Sequence, residues 1–168
     1  PRSTVGTSTE IYDYLKLLYA RIGKTYSPVS GRRVKKHAIT DVVSFMVELG
    51  PGTEIIILSP FHLLKEREVR EQLELLLKQG ITRLQGDSEF TRIEDLLKGD
   101  DLPDSGGQVP VVIDRVRVQL DDDSLARYAD SIQTAFSLGK GECHLQIIPE
   151  NRVCVFSDSF EMDGIKFE

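Results

Sequence analysis

Residues able to do covalent chemistry are few in this 168-residue chain: two cysteines, Cys143 and Cys154, and three histidines, His37, His62 and His144. Cys143 and His144 are adjacent, so on a strand their side chains point to opposite faces and cannot form a nucleophile–base pair. A free-standing enzyme would have to pair Cys143 with the distant His37 or His62. The cysteines lack CxxC spacing and cannot hold zinc by themselves. Each lies in a β-like run, where a thiol serves as a small hydrophobe. A bridge between neighbouring strands is geometrically open, and a reduced pair is the expectation for a cytoplasmic address. No GxxxxGK[ST] loop and no Leu-Ser-Gly-Gly string occurs, and Ser105-Gly106-Gly107 sits in acidic surroundings that repel phosphate. Asp121, Asp122 and Asp123 read as a helix cap, and Asp100, Asp101 and Asp104 as a solvated loop. Recognition is the chemistry left to the chain.

Charge sharpens that expectation. The net charge is −6, but residues 1–36 carry +6 and residues 37–168 carry −12. An acidic body disfavours non-specific DNA binding, which needs clustered Lys and Arg. Arg32, Arg33, Lys35 and Lys36 form the one cluster suited to lie near nucleic acid, so a DNA-contacting module is the alternative reading. Apolar residues make up 40% and charged residues 29%, a composition of a soluble globular domain. No apolar run reaches the roughly 18–20 residues that cross a bilayer, and no signal peptide is visible. The chain opens on Pro1, which suggests a piece of something larger.

The elements that must position these groups are legible from periodicity. Thr7 and Glu10 stand at capping-box spacing, and Ile11, Tyr14, Leu15, Leu18 and Ile22 fall on one face of a core-packing helix closed by a left-handed Gly23. A second helix is predicted over 40–49, then a central strand over 54–59 ended by Pro60, then a charged helix over 63–79 closed by Gly80. A hairpin over 81–92 and an acidic loop over 94–107, with at most a helical turn at its start, come next. The strand predicted over 109–120 points Val112, Val116, Val118 and Leu120 one way and Ile113, Arg115, Arg117 and Gln119 the other. A helix after Asp121 carries the stripe Leu125, Tyr128, Ala129, Ile132 and Phe136, and strands over 142–148 and 152–156 end the series. Helices alternate with strands, but a hairpin and a terminal strand pair argue against an all-parallel sheet. The expected fold is α/β (α+β), a mixed sheet with packed helices.

Specific strings add a resemblance. Pro1-Arg-Ser-Thr-Val-Gly-Thr-Ser-Thr-Glu-Ile-Tyr-Asp-Tyr-Leu-Lys-Leu-Leu-Tyr-Ala-Arg-Ile-Gly23 closely resembles a segment of the bacterial UvrA family, the damage-recognition ATPases of the ABC excinuclease. In that family the segment leads from the first ATPase lobe into an inserted domain. Gln79-Gly80-Ile81-Thr82-Arg83, Val112-Ile113-Asp114-Arg115 and Arg127-Tyr-Ala-Asp-Ser-Ile-Gln-Thr-Ala135 resemble further strings of that family. The resemblance implies residues 1–26 as a flanking lobe segment, 27–156 as the partner-interaction domain and 157–168 as the return segment. It implies docking of the helicase-like excinuclease protein UvrB during nucleotide excision repair, with contact residues at Lys65, Arg67, Arg70 and Arg83. DNA would be met through the parent protein, an ABC-type ATPase expected to be a homodimer, and a non-repair adaptor is a further alternative. The family's parent uses ATP and zinc, but none is expected to be held here. The metal-ligand positions carry Ser27, Ser30, Met162 and Ile165, and serine is a poor zinc ligand.

Overall fold

The computed structural model describes residues 11–29, 31, 36–86, 90–99, 102–159, 161–162 and 165–166. The chain divides into two compact units, residues 1–35 with 160–168, and residues 36–159.

In the first unit, α1 (Ile11–Ile22) forms where the apolar periodicity predicts it. The expected capping pair Thr7 and Glu10 lies outside the described residues. The apolar stripe is not buried: Tyr14 and Ile22 are each 67% exposed, and Ile11, Leu15 and Leu18 are exposed as well. Periodicity identifies an apolar face but not what covers it. Nor is Gly23 left-handed. Its N–H continues the helix to the Tyr19 carbonyl at 2.8 Å, and a Cβ there would overlap that oxygen. Two short strands, β7 (Glu161–Met162) and β8 (Ile165–Lys166), pair antiparallel in the same unit.

The second unit is built on a six-stranded sheet in the order β3-β2-β4-β1-β5-β6. Its strands are β1 (Glu54–His62), β2 (Arg83–Gln85), β3 (Phe90–Arg92), β4 (Gln108–Arg117), β5 (Glu142–Ile147) and β6 (Arg152–Ser157). The α+β class holds, and every pairing among these strands is antiparallel, so the sheet is not mixed. β2–β3 and β5–β6 are hairpins, whereas β1 meets β4 and β5 only after several intervening elements.

Four helices, α2 (Ile39–Glu48), α3 (Val69–Lys78), α4 (Ile93–Lys98) and α5 (Asp122–Leu138), supply the second layer. Val42 and Met46 of α2 pack with Tyr128, Ile132 and Phe136 of α5 on Ile55, Ile57, Val116, Cys143 and Leu145. Leu73 and Leu76 of α3 pack with Ile93 of α4 on Leu84 and Val111. Ile113 touches both clusters, which therefore lie on one side of the sheet. The buried Ser59 hydroxyl ties that side together by donating to the Ala135 carbonyl at 2.7 Å. Arg127 on α5 adds two hydrogen bonds to Asp114 on β4, at 2.9 and 2.7 Å, and its pKa is raised by that carboxylate.

Three boundaries differ from expectation, each for a local reason. β1 runs through Pro60, which lies opposite Pro110, so two residues without an N–H face each other and the ladder continues on both sides. Residues 63–68 form a loop rather than the start of α3, because the buried Gln72 side chain pins them: it accepts from Leu64 N at 2.8 Å and donates to the Leu64 and Arg67 carbonyls at 3.0 and 3.1 Å. A bulge between Ile57 and Leu58 breaks the alternation of β4, so Val111 and Val116 are buried while Val112 turns to the opposite face. Leu120, expected in line with them, is exposed beyond the strand.

Other signals read as written. Gly80 at φ +85° ends α3 in a Schellman arrangement, with Ile81 N–H to Leu76 O at 3.0 Å and Gly80 N–H to Leu77 O at 2.9 Å. Asp121 caps α5, its carboxylate accepting from Ser124 N at 2.9 Å, and that hydrogen bond lowers its pKa. At the far edge of the sheet, His37 N–H donates to the Ser157 carbonyl at 2.7 Å, covering one end of β6.

Candidate docking face

All four helices of this unit pack on one side of its sheet, and none of them covers the opposite side. Period-two alternation places on it Arg83 and Gln85 of β2, Phe90 and Arg92 of β3, and Val112, Arg115 and Arg117 of β4. From the remaining strands come Glu54, Ile56 and Leu58, then His144 and Gln146, then Val153 and Val155. Val153 and Val155, on the edge strand, are 51% and 58% exposed.

Ile56 and Leu58 are nonetheless buried. Gln85 on β2 donates its amide to Gln146 on β5 at 2.8 Å, across the two strands that separate them. Strands lie about 4.8 Å apart, so two side chains meet over that span only if the sheet curls toward this side. The face therefore bends inward, with the Gln85–Gln146 bridge over the buried Ile56 and Leu58.

Its rim is basic. Glu54 holds Arg117 at 2.5 Å and Arg115 at 3.2 Å, and these two guanidiniums, Arg117 first, lower the carboxyl pKa of Glu54. One carboxylate against two exposed arginines leaves positive charge unspent. At the other end Arg83 and Arg92 are direct register partners, and with Thr82 and Glu94 they line a recess of about 200 Å³.

The residues carried over from the family do not form one patch. Arg83 lies on the open face. Arg70 lies in the helical layer, where its guanidinium donates to the Leu97 carbonyl and, at 3.4 Å, to that of Gly99, so it serves the C-terminal end of α4. Lys65 and Arg67 are exposed in the 63–68 loop, and the stem of Lys65 crosses Gly106 so closely that a Cβ there would overlap it. Of the basic cluster, Arg32, Arg33 and Lys35 lie outside the described residues. Lys36 lines a groove of about 340 Å³ with His37, Gln133, Phe136 and Asp158. Reading by resemblance passed over Arg92, Arg115 and Arg117. The signal for the last two was present: their alternation against buried valines in one strand.

Cys143 is fully buried on the helical side, its pKa pushed up to about 12 by burial, while its neighbour His144 lies on the opposite face within 3.5 Å of Glu142. His37 stacks edge-on against Phe156 at 5.2 Å, and both cysteines are free thiols. Among the described residues no group of three His, Cys, Asp or Glu could hold a metal ion, and no helix is long and apolar enough to cross a membrane. Ser27 is buried and its hydroxyl accepts from Val29 N at 3.2 Å, whereas Ser30 lies outside the described residues. Met162 and Ile165 are backbone partners in the small hairpin.

Comparison with known proteins places this architecture. The sequence pattern of the UvrA interaction domain family matches residues 38–148. UvrABC system protein A of Rickettsia typhi is 39% identical over 148 residues, covering 88% of this chain and 15% of that protein. The protein of the same name from Methanothermobacter thermautotrophicus is 37% identical over 172 residues, covering 100% and 18%. That of Rhizobium meliloti is 40% identical over 141 residues, covering 84% and 14%. The chain thus spans less than a fifth of the length of these relatives. With more than half of its residues on the family's pattern, it belongs to the UvrA interaction domain family.

Proposed function

We propose that the domain docks UvrB, the helicase-like partner within the excinuclease, and that the helix-free sheet face is the surface it uses. The observation that carries the reading is the face itself: exposed Val153 and Val155, half-buried Val112 and an arginine rim. Exposed apolar residues ringed by charge are what a specific protein interface buries on binding. On the helical side most apolar residues are spent on the sheet, and Leu64 and Leu75 are the large ones left exposed there among the described residues. Rim charges act on association rate and register more than on affinity, which suits a transient handover between repair proteins.

In this reading the piece is a recognition module without catalysis or cofactor of its own. The family's zinc positions present a hydroxyl from Ser27, a thioether at Met162 and an alkane at Ile165, a donor set that does not fit zinc. DNA contact, ATP hydrolysis and dimerisation would belong to the longer protein in the cytoplasm, and the domain's part in nucleotide excision repair would be the recruitment step.

Titration calorimetry of the chain with UvrB from the same source tests this. Binding in the wild type, weakened by Arg115→Glu and by Val155→Asp but unaffected by Arg70→Gln, is the expected result. Binding lost through Lys65→Glu and Arg67→Glu, with both face variants unaffected, would move the interface to the helical side.

A further inference from the structure

The β2–β3 hairpin is lightly attached to the sheet that carries it. β4 is paired along the whole of β1, from Glu54 to His62, but it meets β2 only where Leu84 stands opposite Val111. On the helical side Leu84 is buried and packs with Val111, Leu73, Leu76 and Ile93, which gives the hairpin a pivot. Its one side-chain hydrogen bond among the described residues lies on the opposite side, the 2.8 Å link from the Gln85 amide to Gln146 on β5. That link passes over β4 and β1, with Ile56 and Leu58 buried beneath it. Both glutamines are half-buried, and an apolar pair of the same shape would fill the space without two amides to satisfy. A polar contact in such a place selects one arrangement more than it adds stability. Gln85 is also the direct register partner of Phe90, which at 39% exposure is the one exposed large aromatic side chain among the described residues of 36–159.

We propose that Gln85 and Gln146 are positioning residues for docking: their bridge straps the β2–β3 hairpin across the open face and holds Phe90 where the partner meets it. The proposal rests on the docking reading above. A pivot with one strap has two states, strapped and released, and only the strapped one presents the hairpin and the rest of the face together. Exposed aromatic residues are the usual anchors of a protein contact, so the placement of Phe90 matters to the partner. A partner that needs both parts of the face binds with an affinity reduced by the fraction of molecules that are released. A hydrogen bond of ordinary net strength keeps most molecules strapped, and its removal should weaken binding by about three- to tenfold.

Two measurements decide the matter. Backbone amide NMR relaxation of the chain alone reads the hairpin directly. In the double variant Gln85→Met with Gln146→Met, the amides of 83–85 and 90–92 should lose order while those of β1 and β5 keep theirs. Gln146→Glu, whose carboxylate still accepts from the Gln85 amide, should leave the hairpin ordered. The second measurement is titration calorimetry with UvrB. Gln85→Met, Gln146→Met and the double variant should each bind about three- to tenfold more weakly, the double no worse than either single, because the two residues make one bond. The double variant should keep the wild-type thermal midpoint, since both partners of the bond are replaced together. A double variant whose hairpin stays as ordered as the wild type overturns the strap. A loosened hairpin with wild-type affinity for UvrB in every variant overturns the positioning role, and so does affinity lost in step with a fallen thermal midpoint, which marks a merely structural pair. If the wild type itself does not bind UvrB, the docking reading falls, and the relaxation measurement by itself still upholds or overturns the strap.

Discussion

Gln72 shows how much a single buried polar side chain can decide. Its three hydrogen bonds to the 63–68 loop replace the first turns that the charged 63–79 pattern predicted for α3. Replacing it by Ala should cost about 2–3 kcal/mol, because it leaves the Leu64 N–H and two carbonyls without their partner. Chemical denaturation would measure that loss, and proteolysis should cut within 63–68 first. Asp121 supplies a pH-dependent counterpart. Its native pKa is lowered by the Ser124 N–H, so its contribution is fully present above the ordinary value of 3.8 and is lost as pH falls through the lowered native value. The stability gap between wild type and Asp121→Ala should therefore be constant at neutral pH and close on acidification below 3.8, as read from thermal unfolding at a series of pH values. Cys143 behaves oppositely: burial keeps it a thiol up to about pH 12, so native protein at pH 8 should leave it unmodified by a disulfide reagent until it unfolds.

Among the elements, those whose ends carry turn chemistry were the most legible. Gly80 and Asp121 mark helix ends in the sequence and do so in the fold, because each works through backbone contacts a few residues away. Gly80→Ala meets no steric contact within 4 Å, so its cost is purely conformational, about 1 kcal/mol for forcing a Cβ to φ +85°. Equilibrium unfolding tests it, and a loss above about 3 kcal/mol would point to packing instead. What the sequence hid depended on partners far along the chain. Pro60 reads as a strand terminus until Pro110 is known to lie opposite, and the facing of Val112 reverses only because of a bulge against Ile57 and Leu58. The stripe of α1 predicts burial, yet its side chains are exposed, since a pattern carries no record of its cover. Arg83 was named by resemblance, while its place opposite Arg92 shows only in the register.

At the scale of the molecule, the sheet separates two tasks. One side is consumed by two apolar clusters and gives stability; the other carries exposed valines and arginines and is the side proposed for docking. Such a division predicts that face variants change binding with little change in unfolding, and that core variants do the reverse. It also predicts salt dependence. With Debye screening shortening from roughly 14 Å at 50 mM to 4 Å at 500 mM, association with UvrB should slow by about tenfold or more while dissociation changes little. Stopped-flow or surface-resonance kinetics across that range would measure both rates, and salt-independent association would contradict the arginine rim.

The outermost strand brings a practical liability for anyone handling the isolated piece. Because His37 attaches to Ser157, and the strand alternates, the backbone groups of Val155 and Val153 point away from β5 with no further strand beyond them among the described residues. Both carry exposed β-branched side chains, and no lysine or proline interrupts 152–157. A bare edge of this kind recruits a like edge, so concentrated preparations should self-associate and precipitate on storage. Val155→Lys should keep them clear, and light scattering over several days at millimolar concentration would show the difference.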